Sequence, residues 1–216
     1  MPSSIFSHQA PGLIIKIKYP NKFDGTALCI SAFVPDINII FEPFLPFNFR
    51  DFTHSLLGLG LFTIPLTIIF SIFFCIYVAP FLANLAKRSN IIYMPMKYFG
   101  IDEWDNLKKK KFNKRFFVVA SYSALIGGLT HLLLDLPAHA TIELFFPTIL
   151  QSPDILLYSI IDFGTINIGQ IQIERNLTVY QLIWIIETLI TFFITLYLLR
   201  YIKKHDLIRK WYENNN

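Results

Sequence analysis

At 216 residues, 54% hydrophobic and 16% charged, with a mean hydropathy of +0.49, the chain departs from soluble domains, which carry about 25% charged residues. That excludes an ordinary water-soluble enzyme and makes a bilayer the expected solvent for much of the sequence. The net charge of +4 says less than the places where the basic residues stand.

Residues 1–26 mix polar and apolar character, and no cleavable signal peptide is evident because Lys16 and Lys18 break the first apolar stretch. Ser7 is placed to cap a short helix with Pro11 in or near its first turn. Thr26 to Val34 is too short to cross a bilayer and reads as a buried or half-inserted helix ending before Pro35. Asp36 then stands just past that end. Glu42-Pro43-Phe44-Leu45-Pro46-Phe47 reads as a stiff aromatic loop at the membrane interface.

Three stretches are long and apolar enough to span: 55–80, 116–136 and 179–202. Pro65 is tolerable inside the first, and Gly58 and Gly60 near its start suit close approach of another helix. A basic loop, 87–115, joins the first two spans and ends in Lys108-Lys109-Lys110-Lys111-Phe112-Asn113-Lys114-Arg115. Nucleic-acid or anionic-lipid binding would suit such a run, but its direct abutment on a span favours a cytoplasmic topology determinant and no nucleic acid. An outer loop, 138–178, follows the second span. Ser152-Pro153-Asp154 reads as a helix start, and Ile166, Ile168, Ile171 and Ile173 alternate around Gly169-Gln170 as in a small hairpin. The third span carries Glu187 and ends in further basic residues, so both basic ends belong inside. Cys29 and Cys75 sit in apolar runs and read as small hydrophobic fillers. The architecture expected is an all-α integral membrane protein of the cell membrane. It is one multi-pass domain, 1–216, with three full transmembrane helices plus short or half-inserted helices near the N-terminus and after Pro137.

Chemistry concentrates at one membrane level. His131 and Asp135 lie four residues apart at the outer end of the second span, stacked on one helix face. Charge-derived topology puts His54, at the mouth of the first span, on the same side. Ionisable groups at that depth are costly unless they satisfy one another or hold a metal. Imidazole nitrogen and carboxylate oxygen are the ligand mix of catalytic zinc. Asp36, His54, His131 and Asp135 would make one site with His8 beside it. His139 and Glu143 repeat the four-residue spacing, although Pro137 disturbs the helix between the two pairs. The alternative is a His–Asp hydrogen bond that only stabilises a helix contact.

Ser7-His8, Val34-Pro35-Asp36, Thr53-His54-Ser55-Leu56-Leu57-Gly58 and Thr130-His131 through Asp135 occur in the order seen in domain-of-unknown-function family 4184, which the chain resembles along nearly its whole length. The His…Asp…His…His-x-x-x-Asp order is also similar to that of YdjM-type inner-membrane metal-dependent hydrolases. More remotely it resembles the zinc-dependent phospholipase C and S1/P1 nuclease group. Those resemblances imply that Asp36, His54, His131 and Asp135 ligate one divalent metal, zinc foremost, and that His8 with a shared Asp135 ligates a neighbouring one. The N-terminal tryptophan ligand of the soluble enzymes is absent here, and their later ligands are represented only by His139 and Glu143. One or two ions are therefore expected rather than three. The function expected is a membrane-bound metal-dependent hydrolase acting at the outer face on a phosphoester or lipid head group, with Asp36 or Glu143 as base. The rival is a non-enzymatic scaffold or transporter component that uses the cluster structurally or as a proton relay.

Overall fold

The structure, a computed structural model, describes residues 4–45, 48–168 and 171–213. Pro46-Phe47 of the aromatic loop and the hairpin tip Gly169-Gln170 lie outside the described residues. Helix α1, Gln9–Lys18, has Pro11 in its first turn, but His8 occupies the N-cap position without a capping side-chain bond. Ser7 therefore does not cap it as expected and is buried instead. The chain reverses and enters α2, Gly25–Ser31, where Asp24 Oδ1 caps the helix by accepting from Ala27 N (2.9 Å). This helix stops short of the expected Val34. Pro35 sits instead in a separate 3-10 turn, Val34–Ile37, which carries Asp36.

A short helix α3, Phe49–Thr53, leads into α4, Leu56–Ala86, the first of three helices among the described residues long and apolar enough to cross a membrane. Ser55 Oγ accepts from Gly58 N at its start (3.0 Å). Two π-type turns interrupt α4, at Leu59–Thr63 and Phe74–Val78. Each holds the residue four before a proline, Pro65 or Pro80. Proline has no N–H for that carbonyl and its ring crowds it, so a locally widened turn accommodates both defects. Helix α5, Lys114–Asp135, starts where Asn113 Oδ1 accepts from Phe116 N (3.1 Å), and a 3-10 turn, Leu136–Ala138, extends it.

The connection 138–178 is mostly extended, although the helix start expected at Ser152-Pro153-Asp154 is present as a single turn. It holds two antiparallel pairs, β1 Thr141–Phe145 with β2 Thr148–Gln151, and β3 Ser159–Ile168 with β4 Ile171–Thr178, plus a one-turn helix at Asp154–Leu157. The all-α expectation is corrected to a mostly helical chain with two small sheets. The β-branched and aromatic residues of this stretch suit a pleated backbone, and Pro137 had already ended the helix. Helix α6, Val179–Lys204, is the third long apolar helix, and α7, Leu207–Glu213, closes the described chain.

Helix α5 is central. Buried residues make up 39% of its most apolar window, against 6% for α6, so α6 turns most of its surface outward. The close approach that fixes α5 runs through Gly127 and Gly128. A Cβ on Gly127 would stand 2.2 Å from Ser31 Oγ and 2.4 Å from the Leu28 carbonyl oxygen, and one on Gly128 would stand 2.2 Å from a Leu59 methyl. Of the glycines expected to serve this role, Gly58 admits only the short helix α3 and Gly60 admits no neighbour. Gly58 is tight against the Phe52 carbonyl of its own preceding turn, and a Cβ on Gly60 would meet nothing within 4 Å.

The α1–α2 hairpin is also pinned at its other end. Lys110 of the basic run is buried and reaches Asp24 Oδ2 at 2.8 Å, while Asp24 N donates to Ser123 Oγ of α5 (2.9 Å). Burial alone would raise the Asp24 pKa, but the Lys110 charge and the bonds from Lys110, Thr26 and Ala27 outweigh it and hold the carboxyl below its ordinary range. Part of the run read as a topology signal is thus an internal fastening.

Gly127→Ala should lower the thermal midpoint in detergent by an amount equivalent to about 1–3 kcal/mol, because the added methyl meets backbone that cannot give. Gly60→Ala should be neutral or stabilising by about 0.5–1 kcal/mol through helix propensity. Equal effects of the two substitutions in calorimetry would contradict the crossing described here.

Candidate metal centre

One turn beyond the Gly127–Leu28 crossing, α5 presents His131 and the chain leaving α2 presents the Ala32 carbonyl. The same geometry that closes the helices thus sets His131 Nδ1 to donate to Ala32 O (2.9 Å). On the opposite side the α3–α4 junction presents His54. Its Nδ1 donates toward Arg50 O (3.2 Å) and lies 3.1 Å from Thr53 Oγ1, whose own proton goes to Arg50 O (3.1 Å). Both histidines are therefore held at Nδ1 by groups that accept, which places a proton there and turns Nε2, the lone-pair nitrogen of the neutral ring, toward the centre.

Those two lone pairs face carboxylates. His54 Nε2 is 3.1 Å from Asp36 Oδ1 and 3.5 Å from Asp135 Oδ2. His131 Nε2 is 3.3 Å from Asp135 Oδ2 and 3.8 Å from Asp36 Oδ1. The two Nε2 atoms are 3.5 Å apart, and all four ligand atoms lie within 4.8 Å of one another. Four acceptors thus converge on one point. A tetrahedral ion with bonds of about 2.0–2.2 Å separates its ligand atoms by about 3.3–3.6 Å, and the five distances above bracket that range. Asp36, His54, His131 and Asp135 fit a divalent cation, and the outward hydrogen bonds of the two rings are the support such ligands ordinarily have.

His8 adjoins this group. Its Nδ1 lies 2.8 Å from His131 Nδ1 and its Nε2 lies 3.7 Å from Asp135 Oδ1. Burial pulls its pKa down to about 4, so it is neutral near pH 7. His139 is brought in too, with Nε2 3.5 Å from Asp135 Oδ2, though from an extended residue after the 3-10 turn rather than from a continuing helix.

Glu143 stands apart. It lies on β1, and its Oε1 accepts from Arg50 Nη1 (2.8 Å) and Thr141 Oγ1 (3.0 Å). The four-residue spacing of His139 and Glu143 does not make a second helical pair, because Pro137 ends the helix before either residue. Arg50, which no sequence motif marks, also borders the cluster. Its only signal was a lone cation four residues before His54, outside every basic cluster. A cavity of ≈ 20 Å³, large enough for about one water, is lined by Arg50, His54, Asp135, His139 and Glu143 among others. His205, in the C-terminal basic tail, is exposed with Nδ1 on the Tyr201 carbonyl (2.9 Å).

The model of a protein family described as a domain of unknown function (DUF4184) matches residues 1–210. The chain belongs to that family. No curated protein and no solved structure matches it.

Purified protein dialysed against zinc should hold one ion per chain in the four-donor group, and His54→Ala, His131→Ala and Asp135→Asn should each lose it. His139→Ala and Glu143→Gln should retain it, weakened by at most about 10–100-fold. Elemental analysis reads the outcome. Wild-type metal content in both His131→Ala and Asp135→Asn would contradict the assignment.

Proposed function

We propose that the protein is a membrane-embedded, metal-dependent phosphoester hydrolase whose site opens at the outer face. The observation that carries the metal is the convergence of four acceptors described above. Without a cation, two lone pairs and two carboxylates face one another in a site where His131 is wholly buried. Protonating both rings instead would set two imidazolium charges 3.5 Å apart, which is costly away from water. A divalent ion removes the conflict. When bound it supplies Lewis-acid stabilisation of charge on phosphorus-bound oxygen and acidifies water.

The chain's own residues supply the rest. Arg50 presents a guanidinium suited to paired hydrogen bonds with phosphate oxygens, 2.8 Å from the carboxylate of Glu143. Glu143 lines the same small cavity as Asp135 and is placed to take the proton of a water held there. Water adds to phosphorus, the bond to the leaving oxygen breaks, and the water's proton passes to the Glu143 carboxylate and from it to the leaving oxygen. Asp36 is the more exposed of the two carboxylates in the four-donor group, with 21% of its side chain exposed against 13% for Asp135. The substrate therefore approaches from its side. Three long apolar helices, with Lys108–Arg115 and the C-terminal basic residues inside, would place this site on the outer surface.

Turnover of a chromogenic phosphodiester by the zinc-loaded protein is the test. Glu143→Gln should lower kcat by about 10²–10⁴ with bound metal unchanged, the range for loss of a general base. Arg50→Lys should mainly raise KM. Absence of turnover on phosphomonoesters and phosphodiesters by fully metal-loaded protein in a bilayer would contradict the hydrolase reading.

A further inference from the structure

Below the His/Asp cluster, between α1, α2, α4 and α6, lies a cavity of ≈ 600 Å³ whose walls are almost wholly apolar. Its upper end is bounded by Phe6, Gln9 and Phe33, the sequence neighbours of His8 and of the Ala32 carbonyl that holds His131. From there it follows the whole of α2 down to Gly25, and reaches Trp104, Leu107 and Trp211 at the level of the basic loop. A cavity of this size lies in the range of small-molecule sites. Its lining calls for a hydrocarbon occupant, since apolar surface gains most from apolar contact.

Two of its polar lining residues bear on what kind of hydrocarbon. Thr195 of α6 is 1% exposed, and its hydroxyl has no hydrogen-bond partner among the described residues, not even a carbonyl of its own helix. Gln9 Oε1, at the upper end, is likewise buried and unpartnered among the described residues. Buried polar groups are nearly always satisfied, and an amide can present its NH₂ as readily as its oxygen. Gln9 and Thr195 both line the chamber, so each brings a hydrogen-bonding side chain to a largely apolar wall. Gln9 stands at the end next to His8, where the ester carbonyls of a glycerolipid would lie below a phosphate at the cluster.

We propose that this cavity holds one hydrocarbon chain of an ester-linked phospholipid, with the ester carbonyls on Gln9 and Thr195 and the phosphate at the His/Asp cluster. The placement of the phosphate rests on the hydrolase reading; the chain site does not. The head group lies at the outer end and the tail runs inward, the direction of a lipid in the outer leaflet under the topology proposed above.

The cavity carries its own reporter, because Trp104 and Trp211 line it and Trp184 is the third of three tryptophans. In a Trp184→Phe background in detergent, phosphatidylglycerol with a brominated acyl chain should quench the fluorescence saturably. Unlabelled lipid should reverse the quenching. Filling the cavity with Ile30→Phe, or separately Leu199→Phe, should remove the saturable component while bound zinc is kept. Thr195→Val should weaken it several-fold. Quenching that is linear in lipid, or unchanged in a filled variant that still melts cooperatively and binds zinc, would overturn the chain site. Diacylglycerol with the same brominated chain separates the two claims. It should bind about 10-fold more weakly than phosphatidylglycerol to the zinc-loaded protein, and Asp135→Asn should erase that difference. Equal saturable binding of both lipids to the zinc-loaded protein would overturn the phosphate placement and leave the chain site standing.

Discussion

Four acceptor atoms meeting in one buried place is the constraint on which the rest of the structure depends. His54 Nε2, His131 Nε2, Asp36 Oδ1 and Asp135 Oδ2 lie within 4.8 Å of one another. The outer hydrogen bonds of the two rings turn the lone-pair nitrogens of their neutral forms inward. Those bonds come from backbone: Ala32 O for His131 and Arg50 O for His54. Each carbonyl is in place only because α2 touches α5 at Gly127 and the turn before α4 closes on Gly58. Helix packing and site chemistry are one arrangement, since a displacement of α2 from α5 would free the His131 ring to rotate.

A second buried polar centre makes that arrangement rigid. Asp24 caps α2, bonds to Ser123 of α5 and pairs with Lys110, two turns of α2 below Ala32. The short α1–α2 hairpin is thus held at both ends, by the Lys110–Asp24 pair below and by His8 and Ala32 above. Breaking a buried ion pair by removing one partner costs about 3–5 kcal/mol, more than a surface pair is worth. The inner fastening therefore matters to a site some distance above it, although it touches no member of the four.

Much of the site was legible in the sequence because its members are expensive. An imidazole and a carboxylate at His131 and Asp135, one helical turn apart in an otherwise uncharged run, demand partners. Basic residues at two span ends place His54 at the same level. The three long helices were legible for the same reason, each being a run of about 20 or more residues with almost no charge. What was not legible depends on contacts between distant segments. Gly58 and Gly60 advertise small-residue packing as strongly as Gly127 and Gly128, and only the fold shows which pair another helix approaches. Arg50 carries no pattern, and Glu143 misled through a helical spacing that Pro137 makes irrelevant. The β pairs after Pro137 were visible only around Ile166–Ile173, where alternation is clean; the rest of β3 and β4 pairs without a regular polar–apolar rhythm. Lys110 was hidden in a run of four lysines, because nothing local distinguishes the one that turns inward to Asp24.

Metal-edge X-ray absorption on zinc-loaded protein tests the central claim most directly, since it reads the ligands and not merely their consequences. The expected first shell is four light atoms at about 2.0–2.2 Å with two imidazole rings visible in the outer-shell scattering. A shell of six oxygens without imidazole scattering, or one unchanged when His54 and His131 are both removed, would contradict a cation held at the convergence of these four side chains.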